Sequence, residues 1–475
     1  MSLKSKIKES FLHTGNAVID RSGTHTYTDL CRYCNTIVDF LQKNGVEKLA
    51  ICLDQSYEAY AWILSAYLAE AEYLPLCPDH PMERKRYCIN IYKPDLIVGN
   101  VQENEFADIS FATPDLSCVV LKDIPKQKHS GNPNIYTLFT SGSTGTPKAV
   151  TVSRHTLENF IDFGTNEYHV GKNDVCSQYS ALTFDLSVFD IFIALSNGAC
   201  LVSFQTKISK LMPLQLIKTH KITYWHSVPN VIRLFEKTVR GAEDLESVRV
   251  FNFAGETLYS SEVEILFSLN RSCLIYNVFG HTETTFCMYQ RISLDDYTQF
   301  SDGTSVSIGR TIPGYSYAIR NFDSSSNMGE LIIIGDEIAE GYLGGDERCA
   351  FNTVIIGDKK MRYFVSGDYV YLKNGSLFFA GRCDDLCKVR GYRIDTKEID
   401  NVLLALGVSV CTVCKNGTLH TFVIGERTDV AEQKLYAYLQ EKLPDYYIPD
   451  EIIFIKEFPL NNSGKINKKA LIKLI

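Results

Sequence analysis

The sequence predicts an α/β protein with a large N-terminal domain, in which helices pack on mainly parallel sheets, and a small C-terminal α+β domain. The first 130 residues alternate between helical and strand patterns, as in layered α/β folds. After the charged segment GRCDDLCKVRGYR the pattern changes to a short mixture of helices and strands with a lysine-rich end. The 475 residues suffice for one large and one small domain, which we expect over residues 1–383 and 384–475.

The first elements are assigned from hydrophobic spacing and end signals. The segment TYTDLCRYCNTIVDFLQKNG has apolar residues at helical spacing and Gly45 at the position of a C-terminal cap, so it predicts a helix. LAICLD then predicts a buried strand, and YEAYAWILSAYLAEA predicts a second helix. Further along, strand patterns cluster between YAIRNF and SLFFAGR, where Asn374-Gly375 predicts a two-residue hairpin turn.

Composition and charge exclude several classes of protein. Hydrophobic residues make up 45% and charged residues 22% of the chain, which excludes a disordered or collagen-like protein. The net charge of −8 provides no basic field that would attract nucleic acid. The 15 cysteines are too dilute for a secreted disulfide scaffold, and no stretch predicts a signal peptide or a membrane span. We therefore expect a cytoplasmic protein with no nucleic-acid or membrane partner.

The segment Thr140-Ser-Gly-Ser-Thr-Gly-Thr-Pro-Lys148 follows the strand pattern IYTLF and suits a polyphosphate ligand. Glycines allow close backbone approach, N–H groups and hydroxyls donate hydrogen bonds, and the lysine neutralises charge. It is not a Walker A motif, because Pro147 and Ala149 flank the lysine where that motif has Gly and Ser or Thr. An ordinary Ser/Thr/Gly surface loop is the alternative. The preceding strand and the Pro-Lys ending favour phosphate binding.

This loop resembles the signature loop of the adenylate-forming superfamily, which includes acyl-CoA synthetases, luciferases and the amino-acid-activating domains of nonribosomal peptide synthetases. The chain departs from the family pattern at Ala149 for Gly, His281 for Pro and Ser366 for Thr, and by one extra residue before Lys465. Further segments are similar to the other family motifs in the family's order: Thr26-Tyr27 with Leu30, 72–78, 184–189, 277–283, 329–331, 341–343, 363–368, 381–384, 388–391 and 462–465.

The resemblance implies that the protein joins ATP and a carboxylate into an acyl-adenylate and releases pyrophosphate. It implies catalytic roles for Thr140 and Lys148 on the phosphates, Glu283 as a ligand of Mg²⁺, and Lys465 between the carboxylate and the α-phosphate. Asp368 would accept from the ribose hydroxyls. The implied nucleotide-binding residues are Thr140, Ser141, Gly142, Ser143, Thr144, Gly145, Lys148, Gly255, Glu256, Asn277, Phe279, Gly280, Thr282, Asp368 and Arg382.

Each of these residues also has a structural explanation. Glu283 could be an acid at a helix N-terminus, Asp368 a turn residue, and Lys465 a solvated charge in a lysine-rich tail. Asp384 could belong to a charged linker, whereas the resemblance makes it the hinge on which a mobile small domain turns between two half-reactions. The Cys411-x-x-Cys414 pair lies in a predicted β-hairpin and no partner pair follows it, so we interpret these cysteines as structural.

Asp185 in FDLSVFD indicates the branch of the family, because in amino-acid-activating members an Asp at this position pairs with the substrate's α-ammonium group. The segment is similar to nonribosomal peptide adenylation domains and to D-alanine–carrier protein ligases, so we expect transfer to the phosphopantetheine thiol of a separate carrier protein. A local cap or turn role for Asp185 is the alternative. An acyl- or aryl-CoA synthetase and a non-catalytic nucleotide-binding protein also remain open.

An alignment to the family's pocket positions without gaps predicts the residues that surround the amino acid. Phe189 and Phe286 occupy volume, so a small side chain is expected, with alanine as the first choice. Serine or threonine is second, because His226 and Asn252 could bind a hydroxyl group. The predicted pocket consists of Asp185, Leu186, Phe189, His226, Asn252, Ala254, Val278, Phe286 and Cys287.

Overall fold

The computed structural model describes residues 1–99, 109–113, 118–121, 131–140, 147–241, 244–343, 351–356, 358–382, 386–389, 391–459 and 466–475. Within these ranges the α-helices are α1 (Leu3–Ser10), α2 (Tyr27–Asn44), α3 (Tyr57–Leu68), α4 (Met82–Tyr92), α5 (Arg154–Tyr168), α6 (Asp185–Ser196), α7 (Lys207–Leu211), α8 (Pro213–His220), α9 (Ile232–Thr238), α10 (Ser260–Leu269), α11 (Thr396–Leu404), α12 (Asp429–Lys442) and α13 (Lys468–Ile472).

The β-strands of the described residues follow in chain order. They are β1 (Asn16–Asp20), β2 (Gly23–Thr26), β3 (Lys48–Cys52), β4 (Glu72–Pro75), β5 (Leu96–Gly99), β6 (Ile109–Thr113), β7 (Cys118–Leu121), β8 (Asn134–Thr140), β9 (Lys148–Ser153), β10 (Val175–Gln178), β11 (Cys200–Ser203), β12 (Tyr224–Ser227), β13 (Val250–Ala254), β14 (Leu274–His281), β15 (Thr285–Ile292), β16 (Arg310–Thr311), β17 (Tyr315–Asp323), β18 (Met328–Gly335), β19 (Gly341–Leu343), β20 (Phe351–Ile356), β21 (Lys359–Lys373), β22 (Ser376–Arg382), β23 (Leu386–Val389), β24 (Tyr392–Asp395), β25 (Val410–Lys415), β26 (Thr418–Ile424) and β27 (Glu451–Ile455).

Helix α2 shows how local sequence signals define an element. Thr26 and Asp29 form a reciprocal capping box at its start, which satisfies two backbone N–H groups that have no intrahelical partner. Gly45 ends the helix in the left-handed conformation at φ 65°, which glycine adopts without steric cost. Leu30, Ile37 and other apolar residues of one face are buried. The helix predicted from this segment is confirmed.

Helices α3 and α6 are buried on all sides rather than on one face. In α3 every residue from Ala59 to Leu68 is buried, and in α6 every residue from Leu186 to Ser196 is buried. A helix that is apolar all round fits only inside a protein, between other layers of structure. Among the described contacts, α6 packs against α1, α5 and the strands β10 and β11.

Two large sheets form the main part of the fold. One has the strand order β16-β15-β14-β13-β12-β10-β11-β1-β2, in which the central strands from β14 to β1 are parallel and the outer pairs are antiparallel. The other has the order β19-β9-β8-β4-β3-β5-β7-β6, with β3, β4, β5 and β8 parallel. The predicted α/β class with several sheets, mainly parallel, is confirmed.

A third sheet is antiparallel and is built from β17, β18, β20, β21 and β22. The turn predicted at Asn374-Gly375 connects β21 to β22, and both residues have positive φ, at 52° and 78°. This combination is the one that a tight hairpin requires.

The chain divides into two compact units. The first comprises residues 1–78, 91–138 and 150–381, and the second comprises residues 79–90, 139–149 and 382–475. In the second unit, β25 and β26 form the hairpin predicted around Cys411 and Cys414, and β27 adds a parallel strand to it. Val389, Ile399, Leu439 and neighbouring residues form a separate core in this unit. The predicted boundary at residue 384 lies outside the described residues and stays a prediction.

Candidate active site

Four of the predicted pocket residues lie on one face of the nine-stranded sheet. His226 on β12 pairs in register with Asn252 on β13, and Ala254 on β13 pairs with Val278 on β14. Asn252 and Ala254 are two residues apart, so all four side chains share a face. They lie toward the carboxyl ends of three adjacent parallel strands, which is where ligands bind in open α/β sheets.

The N-terminal half of α6 contributes the residues that meet this face. Asp185 is the first residue of the helix and is half-buried, whereas Leu186 and Phe189 are buried. The ring of Phe189 lies 5.7 Å from that of His226 and 5.0 Å from that of Phe286 on β15, measured between centroids. His226 and Phe286 are 5.6 Å apart, so the three rings form one cluster. The structure therefore brings together predicted residues from α6, β12 and β15.

Cys287 differs from its neighbour Phe286 in what it contacts. Its Sγ donates to the Phe279 carbonyl at 3.5 Å and receives a hydrogen bond from the Thr284 hydroxyl at 3.6 Å. Of these two partners, Phe279 is a predicted nucleotide-binding residue.

Sequence analysis missed Gly164, a helical residue of α5 that faces the ring cluster. A Cβ atom built at this position would lie 2.5 Å from Cζ of Phe189, closer than real Cβ atoms approach a neighbour. Glycine at this position therefore makes room for the Phe189 ring. A single glycine in an otherwise helical pattern is the only signal in the sequence.

Sequence analysis also missed Asp190, the residue that follows Phe189. Its Oδ1 lies 2.6 Å from Nδ1 of His226, and both side chains are fully buried. Burial raises the pKa of the Asp190 carboxyl, and the contact with His226 partly offsets this increase. A lone acid in the apolar run DLSVFDIFIALS was the available signal, because a buried carboxylate needs a partner.

Several buried polar atoms of this region have no hydrogen-bond partner among the residues that the structure describes, and three of them matter for the pocket. They are Oδ2 of Asp190, Nε2 of His226 and Oδ1 of Asn252, all buried. The amide nitrogen of Asn252 does have a partner, since it donates to the Tyr224 hydroxyl at 2.8 Å. Atoms of this kind are rare in proteins because leaving them unpaired costs about 1–3 kcal/mol each.

The predicted nucleotide-binding residues of β14 and the turn after it make close contacts with neighbouring segments. Asn277 donates to the Ser307 carbonyl at 2.9 Å, and Gly280 lies so close to Thr285 that a Cβ atom would be 1.7 Å from its carbonyl oxygen. Phe279 is buried on the same strand and Thr282 is half-buried in the following turn. Gly255 and Glu256 follow β13, the adjacent strand, and Gly255 has φ 89°. A side chain at that φ would be strained.

Glu283 is completely buried in the turn between β14 and β15. Its Oε1 accepts a hydrogen bond from the Tyr342 hydroxyl at 2.8 Å, which fixes the direction of the carboxylate. The alternative role at a helix N-terminus is wrong, because the residue lies between two strands. Sequence analysis did not identify Tyr342 as its partner.

Asp368 is completely buried within β21, so it is not a turn residue. Its Oδ2 lies 2.6 Å from Nε2 of His281, and its backbone N–H donates to the Ser366 hydroxyl at 3.0 Å. His281 and Ser366 are two of the positions at which the sequence departs from the family pattern. Both of these residues therefore contact Asp368.

The remaining predicted site residues lie in the second unit or outside the described residues. Thr140 ends β8, Lys148 begins β9 and Arg382 ends β22, and all three side chains are half-buried. The residues outside the described ranges are Ser141, Gly142, Ser143, Thr144, Gly145, Asp384 and Lys465.

A magnesium ion suits the donor chemistry at Glu283. No three His, Cys, Asp or Glu side chains form a metal-binding group within the described ranges. Mg²⁺ does not need such a cage, because it is usually held by one or two carboxylates together with substrate phosphates and water. The buried, oriented carboxylate of Glu283 fits that coordination.

Within the same ranges no helix is long and apolar enough to cross a membrane.

Sequence comparison identifies relatives over almost the whole chain. A family model described as "AMP-binding enzyme" matches residues 13–343. The chain is 28% identical to zwittermicin A synthase ZmaJ of Bacillus cereus, covering 96% of this chain and 91% of that protein. It is also 28% identical to the D-alanine–D-alanyl carrier protein ligase of Bacillus licheniformis, covering 86% and 85%. Identity is again 28% to vanchrobactin synthetase VabF of Vibrio anguillarum, of which the chain spans only 17%.

Solved structures share the fold. The Vibrio cholerae adenylation domain AlmE, in complex with glycyl-adenosine-5'-phosphate, superposes with a TM-score of 0.83 at 26% identity and covers 99% of this chain and 97% of that chain. The holo form of PA1221, a protein with adenylation and carrier domains, has a TM-score of 0.79 at 22% identity and covers 100% and 84%. At 22% identity, the similarity to PA1221 shows only that the two proteins share a fold.

Proposed function

The chain belongs to the AMP-binding enzyme family, and from this premise we propose that it activates a small amino acid as an aminoacyl-adenylate. In the first half-reaction a carboxylate oxygen of the amino acid attacks the α-phosphorus of ATP, and pyrophosphate leaves. In the second, the phosphopantetheine thiol of a separate carrier protein attacks the acyl carbonyl carbon and AMP leaves. The observation that carries this proposal is the convergence of α6, β12, β13 and β14 on one buried cluster beside Asp185.

The anionic groups of the reaction need compensation, which we assign to residues that the family resemblance names. Glu283 would bind Mg²⁺, whose charge stabilises the phosphates when bound, and Asp368 would accept hydrogen bonds from the ribose hydroxyls. Thr140, Lys148 and the residues between them would bind the β- and γ-phosphates. Lys465 would neutralise the carboxylate and the α-phosphate in the transition state, and Asp384 would be the hinge.

The substrate pocket supports a small amino acid. Asp185, at the first turn of α6, would pair with the α-ammonium group, and Phe189 and Phe286 occupy the volume that a large side chain would need. The apolar lining puts alanine first, and serine or threonine is second because His226 and Asn252 could bind a hydroxyl group. The glycyl-adenylate of AlmE and the D-alanine ligase among the relatives both support a small substrate.

ATP–pyrophosphate exchange across a panel of amino acids tests this proposal. We expect exchange with alanine, serine or threonine to exceed exchange with phenylalanine, leucine or lysine by at least about tenfold. A preference for a bulky or basic residue would contradict the pocket assignment. Aminoacyl transfer should require a phosphopantetheinylated carrier protein, and transfer to free CoA at an equal rate would favour an acyl-CoA synthetase instead. A cytoplasmic location is part of the same proposal.

Glu283→Gln provides the matched test of the metal assignment, because it keeps the size of the side chain and a hydrogen-bond acceptor for Tyr342. We expect exchange to fall by at least about 100-fold, with a correspondingly weaker response to added Mg²⁺. Glu262→Gln is the control, because Glu262 is also buried and its carboxylate accepts a hydrogen bond from the Tyr259 backbone N–H at the start of α10. An equal loss in the control would indicate a folding defect.

A further inference from the structure

Two buried polar atoms near α6, one on β12 and one on β13, have no hydrogen-bond partner among the described residues. Nε2 of His226 and Oδ1 of Asn252 belong to register neighbours on adjacent strands, and both residues are completely buried. The rings of Phe189 and Phe286 pack against His226. Buried polar atoms in apolar surroundings destabilise the protein unless a ligand or a water molecule forms hydrogen bonds with them. The group therefore requires a hydrogen-bonding partner.

Asp190 determines which edge of His226 is available to that partner. Its Oδ1 is 2.6 Å from Nδ1, and an ionised carboxylate can only accept, so opposite it the ring N–H is at Nδ1. The two side chains are fully buried, and the hydrogen bond fixes both the ring orientation and the site of the proton. The Nε2 edge is consequently directed away from Asp190.

We infer that Asp190 is a positioning residue, which orients His226 so that its Nε2 binds a hydroxyl group on the substrate's side chain. The inference rests on the proposed function and refines it, because it puts serine or threonine ahead of alanine. It reverses the order that the apolar lining alone gives. Asp190 itself is not one of the residues aligned with the family's pocket positions.

A hydroxyl group matches these atoms better than a methyl group does. It can donate to a neutral Nε2 or accept from a protonated one, and it can instead donate to the Asn252 oxygen. The methyl group of alanine would leave both protein atoms buried and unpaired. Sites built to bind a hydroxyl group reject analogues that lack it more strongly than apolar sites reject a missing methylene group.

The test compares the specificity constants for serine and alanine in pyrophosphate exchange. We expect wild-type protein to prefer serine or threonine over alanine by at least about tenfold. Asp190→Asn keeps the size of the side chain but lets the amide donate to Nδ1, which allows the other tautomer of His226. The preference should then fall about tenfold, mainly through a higher KM for serine, while the values for alanine change much less.

A double-mutant cycle separates positioning from a general structural role. His226→Gln should lower the serine preference at least as much as Asp190→Asn, and the double variant should resemble His226→Gln alone. Asp95→Asn is the control, because the Asp95 carboxylate is likewise hydrogen-bonded. It accepts from the backbone N–H groups of Glu47 and Lys48, and it directly precedes β5 of the chain's other large sheet. Its serine-to-alanine ratio should stay within about twofold of wild type.

Several results would overturn the inference. Wild-type preference for alanine, equal losses for serine and alanine in Asp190→Asn, or additive effects in the cycle would each do so. If Asp190→Asn does not fold, His226→Gln and the wild-type preference still decide it. These failures differ from failure of the proposed function, which would appear as no exchange with any amino acid in the wild-type protein.

Discussion

Two buried aspartate–histidine pairs lie in the first unit, and they differ in what surrounds the second ring nitrogen. In both pairs the carboxylate oxygen is 2.6 Å from a ring nitrogen. In the Asp190–His226 pair the other nitrogen has no hydrogen-bond partner among the described residues, whereas in the Asp368–His281 pair it contacts the Thr284 hydroxyl at 3.4 Å. The first pair presents the histidine to a ligand. In the second, the histidine supports a carboxylate that would itself bind the ribose.

The largest effect that separates the two pairs is expected from Asp368→Ala. If Asp368 accepts from the ribose hydroxyls as proposed, its removal should lower pyrophosphate exchange by at least about 100-fold. Two hydrogen bonds to the nucleotide would then be lost, and His281 would be left buried without its carboxylate. The loss should be the same for serine and alanine, since the nucleotide is common to both. Specificity constants measured with both amino acids check this. A loss with only one of the two amino acids would contradict the assignment of the Asp368–His281 pair to the nucleotide and of the Asp190–His226 pair to the amino acid.

A smaller effect of the same kind is expected from His281→Gln. The carboxylate of Asp368 should remain hydrogen-bonded but less firmly oriented, so KM for ATP should rise about tenfold with little change in the serine-to-alanine ratio. Kinetics with varied ATP at saturating amino acid provide the measurement. A changed amino-acid preference with unchanged KM for ATP would show that His281 acts on the other site.

Gly164→Ala tests the packing behind the Asp190–His226 pair. Its new Cβ would overlap the Phe189 ring, so we expect a loss of about 1–3 kcal/mol in the free energy of unfolding and a shift in amino-acid KM. The matched control is Gly171→Ala, since a Cβ at Gly171 has no atom within 4 Å and its change should stay within about 0.5 kcal/mol. Denaturant unfolding of both variants gives the comparison, and equal effects would refute the packing argument.

A third histidine, His80 in the second unit, has cations rather than a carboxylate beside it. Burial, together with Arg84 and Lys85, lowers the pKa of His80 to about 3. In the unfolded protein the pKa of His80 is about 6.5, so below that pH the folded protein binds fewer protons than the unfolded protein does. The contribution to stability is complete above pH 6.5 and is lost as the pH falls toward 3, at no more than about 1.4 kcal/mol per pH unit.

His80→Phe should reduce this acid sensitivity while keeping a ring beside Tyr446, which His80 contacts at 5.9 Å between centroids. Denaturation midpoints at pH 7 and pH 5 should therefore differ less in the variant than in wild type. An unchanged difference would mean that His80 is protonated in the folded protein or that other groups dominate.

Features that depend on neighbouring residues in the chain could be predicted from the sequence. The C-terminal cap of α2 at Gly45, the turn at Asn374-Gly375 and the order of the family motifs are all local patterns. The family predicted from those motifs is confirmed by the model that matches residues 13–343.

Features that depend on distant contacts could not be predicted in this way. Asp190 meets His226 only because α6 packs against the sheet, and Tyr342 meets Glu283 across 59 residues of sequence. The two departures at His281 and Ser366 looked unrelated in the sequence because they are 85 residues apart. The fold brings both to Asp368.

The complete burial of α6 has a consequence for the evolution of substrate choice. Leu186 and Phe189 belong to the predicted substrate site, and Asp190 is the proposed positioning residue for His226. All three are buried in the protein interior, so a substitution that changes selectivity also disturbs packing. New specificity at these positions should therefore arise through paired changes, one in the helix and one in a packing neighbour such as Gly164. Libraries that vary α6 alone would be depleted in folded proteins, whereas libraries that vary α6 and α5 together would retain more of them.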